Sequence, residues 1–122
     1  MKRDLDLLRD ILLAVEAAEG PFAFVDLSKL SPVVNCDDMV KLSFHVALLI
    51  DEGFIDCHQY QTIYGGYIDY QINRLTMPGI RFLDTIRKDN VWVRVKPLLQ
   101  GFTSACTLAL QVKQALVDLG IV

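Results

Sequence analysis

The sequence predicts one α+β domain, with amphipathic helices around a single β-hairpin and a further helical segment on its C-terminal side. Three observations predict it. Apolar side chains recur at spacings of three and four over residues 4–19, 36–52 and 103–119, the signature of helices buried along one face. Two apolar runs, 54–64 and 67–75, flank Gly65-Gly66, the pattern of a tight hairpin. A chain of 122 residues, 52% hydrophobic and 22% charged, is the size of one ordinary domain and too apolar for a disordered one. The expected core covers about residues 4–88 and the helical extension about residues 90–120.

In the first helix, Asp4 is the expected N-cap. Leu5, Leu8, Leu12 and Val15 form one stripe, which Leu7 and Ile11 widen. Gly20-Pro21 stops it, because Gly accepts the left-handed conformation and Pro cannot continue a helix. Residues 22–27 read as a short strand or extended segment, and Ser31-Pro32 and Asn35 punctuate a loop. A second helix over 36–52 takes Asn35 as N-cap, carries Met39, Leu42, Val46 and Leu49 inward, and ends at Gly53. A two-residue hairpin turn sets Tyr64 opposite Tyr67, Ile63 opposite Ile68 and Gln59 opposite Ile72. Ile55, Cys57, Ile63, Ile68 and Ile72 then share the core face. Thr76 caps a third helix whose first turn tolerates Pro78 and whose face is Ile80, Leu83 and Ile86 or Arg87. Residues 91–100 place Trp92, Val95 and Leu99 on one side, with Pro97 kinking or restarting the segment. The last helix, 103–119, carries two stripes: Leu108, Val112 and Leu116 with Ala105, Ala109 and Leu119, and separately Cys106, Leu110 and Val117.

Composition narrows the function classes. The stretch 97–112 is interrupted by polar residues and falls short of a membrane span, and the N-terminus lacks the uninterrupted apolar segment of a signal peptide. Cys36, Cys57 and Cys106 are odd in number and contain no C-x-x-C pair, as expected of reduced, mostly buried thiols in a cytoplasmic protein. A net charge of −3 provides no overall positive field toward nucleic acid or anionic lipid.

Helix, short strand, helix ending in Gly, hairpin, helix is the order of a winged helix-turn-helix. Residues 42–55 (Leu-Ser-Phe-His-Val-Ala-Leu-Leu-Ile-Asp-Glu-Gly-Phe-Ile) resemble the recognition helix of bacterial winged-helix regulators, with the hairpin as the wing. Residues 74–84, from Arg74-Leu75-Thr76 through Gly79 to Phe82-Leu83-Asp84, resemble the stretch that follows such wings. The opening residues 1–9, together with Phe44-His45, residues 82–87 and Val91-Trp92, resemble a family found mainly in phages and prophages and catalogued as a domain of unknown function. The resemblance implies a winged-helix fold in a bacterial host cell and no established activity. Pro97 and the apolar segment 22–34 depart from the family's pattern.

On that fold the outward positions of the recognition helix are Lys41, Ser43, Phe44, Ala47 and Leu48, of which Lys41 and Ser43 can hydrogen-bond to base edges. Asp37, Asp38, Asp51 and Glu52 repel phosphate, and residues 54–73 hold no Lys or Arg. A recognition face covered within the fold or a dimer is the alternative. Tyr64 and Tyr67 at the wing tip are assigned to a partner, with cross-strand packing as the competing explanation for the hairpin tyrosines. If DNA binds, the basic contacts are Lys2, Arg3, Arg74, Arg81, Arg87 and Lys88, although their neighbours alternate in charge as on solvated helix faces.

Catalytic and metal readings are weak. Cys57 and His58 point to opposite faces of a strand, and Cys36 and His45 lie about two and a half turns apart. Asp56 and His58 share a strand face but supply no nucleophile. No catalytic residue, metal, cofactor or small-molecule ligand is assigned. The expectation is a non-enzymatic regulatory or adaptor module acting through protein contacts, with a DNA-binding transcriptional regulator as the alternative. Burying Leu108, Val112 and Leu116 leaves Leu110 and Val117 outward, which predicts a homodimer through the last helix. Residues 91–100 folding back over that stripe is the competing outcome.

Overall fold

The computed structural model describes residues 2–18, 25–61, 66–99 and 108–121. These form six helices and a two-stranded antiparallel hairpin, an α+β arrangement, and the chain divides into two compact units, Met1–Ile80 and Arg81–Val122.

In the first unit, α1 (Leu5–Ala17) starts where expected: the Asp4 carboxylate accepts the Leu7 N–H at 3.2 Å. Leu5, Leu8, Ile11, Leu12 and Val15 are buried, together with Leu7, so the helix is covered along more than one seam. It packs on α2 (Leu27–Val34), α3 (Met39–Asp51) and β2 (Ile68–Leu75).

Helix α2 corrects the sequence reading. Of the expected strand, residues 22–24 lie outside the described residues, and Val25 forms a bridge with Ile72 in which the two exchange backbone hydrogen bonds of 2.9 and 2.8 Å. Asp26 then caps a helix through the supposed loop, its Oδ1 accepting the Lys29 N–H at 2.9 Å and the Ser28 hydroxyl at 2.7 Å. Asp69 Oδ1 accepts the Leu27 N–H at 3.2 Å, satisfying another first-turn donor. Leu27, Leu30 and Val34 recur at helical spacing and all are buried. Pro32 sits inside the helix on its exposed side.

Asn35 ends α2 in the left-handed conformation (φ 56°, ψ 45°), so it cannot be the extended N-cap of the next helix. Asp38 takes that role, accepting the Lys41 N–H at 3.1 Å, and α3 begins three residues later than expected, at Met39. Leu42, Val46 and Leu49 face the core and Met39 is half-buried.

The hairpin register also differs. Strand β1 (Ile55–Gln61) pairs Cys57 with Ile72, Gln59 with Tyr70 and Gln61 with Ile68, two residues away from the expected alignment. The connecting residues 62–65, including Ile63, Tyr64 and Gly65 of the expected turn, lie outside the described residues. Because side chains alternate with period two, this shift keeps Ile55, Cys57, Ile68 and Ile72 on the expected face. A bulge between Asp56 and Cys57 leaves Asn73 as the extra residue of β2, and this lets Ile72 and Leu75, three apart, both reach the core.

Helix α4 (Met77–Ile86) opens on Thr76, whose hydroxyl oxygen accepts the Gly79 N–H at 3.1 Å. In the second unit α5 (Asp89–Leu99) runs through Pro97 without restarting and packs on α6 (Leu108–Asp118). Trp92, Val95 and Leu99 are buried, as are Leu108, Val112, Ala115 and Leu116. Residues 101–107, including Cys106, lie outside the described residues.

Candidate functional site

Helix α3 divides cleanly by angle. Leu42, His45, Val46 and Leu49 point into the first unit, while Val40, Phe44, Ala47, Leu48 and Asp51 point away. Val40 is 48% exposed, Asp51 is exposed, and Phe44, Ala47 and Leu48 are half-buried.

The two hydrogen-bonding residues expected on this face are engaged elsewhere. Ser43 is not outward: it is 7% exposed and its hydroxyl donates to the Ile68 carbonyl at 2.6 Å, tying α3 to the hairpin. The cause is helical geometry, since Ser43 lies on the flank of α3 that meets β2. Lys41 is half-buried, and its Nζ pairs with the Asp4 carboxylate at 3.1 Å. That carboxylate is drawn below the ordinary range. Burial pushes it up, but the Leu7 N–H, the Lys41 hydrogen bond and the Lys41 charge together outweigh burial.

His45 completes this tie through two backbone partners that the sequence does not identify. It has no exposed surface. Its Nε2 lies 2.7 Å from the Asp4 N–H and its Nδ1 lies 2.7 Å from the Lys41 carbonyl. An N–H needs an acceptor and a carbonyl needs a donor, so the ring is neutral with its proton on Nδ1. Burial lowers its pKa from the ordinary value; the Lys41 carbonyl and Asp4 act against that, and Lys41 with it. The sequence signal available was a His six residues inside an otherwise apolar helix face, with Lys41 one turn before it.

A cleft of about 330 Å³ opens beside this tie, lined by Asp4, Asp6, Asp10, Asp37 and Asp38 with Lys41. Burial raises the Asp10 pKa, Arg9 lowers it, and Asp6 and Asp4 raise it. Among the described residues no group of three His, Cys, Asp or Glu side chains is arranged to hold a metal ion.

The remaining expected contacts are scattered. Tyr67 is half-buried, while Tyr70 is 4% exposed and belongs to the core; Tyr64 lies outside the described residues. Arg74 is 3.9 Å from Asp56, and Arg87 pairs with Asp84 at 2.7 Å. Lys2, Arg81 and Lys88 are exposed and Arg3 is half-buried. Leu110 and Val117 on α6 are 61% and 50% exposed. No described helix is long and apolar enough to cross a membrane.

A family profile described as "Hypothetical protein (DUF2513)" matches residues 2–105, which include α1 to α5 and the hairpin. The chain belongs to the DUF2513 family. A relative in Haemophilus influenzae, described as an uncharacterized protein, is 31% identical over 101 residues, covering 83% of this chain and 80% of that one. No solved structure matches the chain. Within this DUF2513 chain the described residues of the first unit present two defined features, the Asp4–Lys41–His45 tie and the outward face of α3.

Proposed function

We propose that this DUF2513 protein is a non-catalytic, cytoplasmic regulatory or adaptor module of the phage or prophage type, with a winged-helix fold that works through protein contacts. The element order supports the fold reading: α1, the Val25 bridge to β2, α2, α3 and then the hairpin, with α3 in the recognition position and the hairpin as wing. The observation that carries the functional reading is the state of the α3 face. Lys41 is committed to Asp4 and Ser43 to Ile68, so the surface left outward is Val40, Phe44, Ala47 and Leu48, ending on Asp51. Such a face offers apolar contact to a protein and repels a phosphate backbone. The exposed Leu110 and Val117 support self-association as a homodimer.

The competing reading is a DNA-binding transcriptional regulator. It draws on the element order and on exposed Lys2, Arg81 and Lys88. Fluorescence anisotropy with labelled promoter duplexes across a salt series separates the two. The expected result is no saturable binding below about 10 μM protein at ~150 mM salt, in the range of non-specific association. Specific binding near ~10 nM with a steep salt slope overturns the proposal. Photo-crosslinkers placed in vivo at Phe44 and Leu48 are expected to give discrete protein adducts that the same crosslinker at exposed Ser28 does not.

A further inference from the structure

The −3 net charge of the chain hides a separation. Residues Met1–Ile80 carry six Lys or Arg against twelve Asp or Glu, and Arg81–Val122 carry six against three; −6 and +3 give the −3 of the whole. Each unit also presents exposed apolar side chains with charges of its own net sign nearby. On the first, Val40, Phe44, Ala47 and Leu48 lie between exposed Asp37 before α3 and exposed Asp51 near its end. On the second, Val93 is 62% exposed and Val117 50%; Arg94 and Lys113 are exposed near them, as are Asp89 one turn before Val93 and Asp118 at the end of α6, within a unit whose balance is positive. On α6, Leu110, Lys113 and Val117 follow the i, i+3, i+7 spacing of a single stripe.

We infer that the occupant of the α3 face is the α5–α6 surface of a second copy of this chain, with the acidic–apolar face of one unit meeting the basic–apolar face of the other. This rests on the reading of α3 as a protein-contact face. The simpler pairing, α6 against α6 across a twofold axis, sets one net-positive unit against another and brings the Lys113 side chains toward each other. Like charges facing each other across an interface are penalised, whereas opposite potentials speed and orient encounter. The unlike pairing covers both apolar faces at once and brings −6 against +3. Two such contacts related by a twofold axis close a dimer; a single unreciprocated contact would propagate into an open chain.

Light scattering on a size-exclusion column at ~50 μM, in ~50 mM and ~500 mM salt, tests this in the full-length chain. The expected result is a dimer that weakens at least about tenfold in high salt, as screening acts on exposed charge. One variant combines Asp37→Lys with Asp51→Lys, and a second combines Arg94→Glu with Lys113→Glu. Each is expected to be monomeric alone with an unchanged circular dichroism spectrum, and an equimolar mixture is expected to dimerise again, because both contacts in the mixed pair are oppositely charged. A monomer in low salt overturns the inference. So does a dimer that ignores salt and both charge reversals but dissociates when Leu110 and Val117 are changed to Gln, which assigns the contact to α6 alone. The DNA titration is read separately: failure of the scattering test with no DNA binding leaves the protein-contact reading standing, whereas tight specific DNA binding removes both.

Discussion

His45 has no exposed surface and both ring nitrogens are committed, one to an N–H and one to a carbonyl, so only the neutral ring fits its site. Protonation places two N–H donors, from the ring and from Asp4, against each other. The folded pKa is lowered by burial, while the unfolded chain titrates near the ordinary value of about 6.5. Below that value the unfolded state binds more protons than the folded one. The His45 contribution is therefore complete above about pH 6.5 and declines as pH falls from there toward the folded pKa. Asp4 acts lower on the scale: its folded pKa lies below 3.8, and its contribution is lost as pH falls through that folded value. Urea denaturation between pH 8 and pH 5 is expected to show the midpoint falling in wild type. His45→Gln, which does not titrate, is expected to start about 1–3 kcal/mol less stable and to lack this decline; an equal decline in the variant refutes the assignment. Gly79 is a second single-residue constraint. A Cβ there would collide with the Phe54 carbonyl, whose oxygen also accepts the Thr76 N–H at 2.9 Å. Gly79→Ala is expected to cost about 1–3 kcal/mol or more, because backbone, not a mobile side chain, must give way.

At the scale of elements, α2 shows how little sequence a helix needs when tertiary contacts complete it. Eight residues containing a proline would not hold a helix alone. Asp26 and Asp69 satisfy its first-turn donors, Asn35 closes its end, and Leu27, Leu30 and Val34 are buried. Asp26→Ala is expected to lower stability by about 1 kcal/mol in urea titration. Asn35→Gly, which accepts a φ of 56° without a Cβ, is expected to change it by less than about 0.5 kcal/mol. In α6 the two stripes separate in the same experiment. Leu116→Ala removes a buried side chain and is expected to cost about 2–5 kcal/mol. Val117→Gln, half exposed, is expected to stay within about 0.5 kcal/mol for the monomer.

For the whole molecule the dominant quantity is charge and its distribution. The pI is near 5.2, so lowering pH toward that value removes the net charge that opposes association. Over the same interval the protonation of His45 works against the fold. Turbidity followed from pH 7.5 to pH 4.5 is expected to peak near pH 5.2 and to be smaller for His45→Gln relative to its own value at pH 7.5. A peak displaced by more than about one pH unit would show that net charge does not govern association.

Helical periodicity in the sequence was sufficient for α1, α3 and α6, because a 3.6-residue apolar repeat is a local property and each of these helices buries one side. The Asp4 cap, the Thr76 cap and the buried Trp92, Val95 and Leu99 were legible for the same reason. Strand faces survived a two-residue error in register, since alternation has period two. Three matters were decided only in the tertiary structure. Asp26 and Asn35 could each cap or turn, and the choice depended on whether Leu27, Leu30 and Val34 had a core to enter. Ser43 and Lys41 read as outward hydrogen-bonders until Ile68 and Asp4, distant in sequence, were brought against them. His45 read as one histidine among apolar residues until Asp4, 41 positions away, gave its Nε2 a donor. A local pattern records which side of an element is apolar; which polar groups remain for a partner is set by the long-range contacts that consume the others.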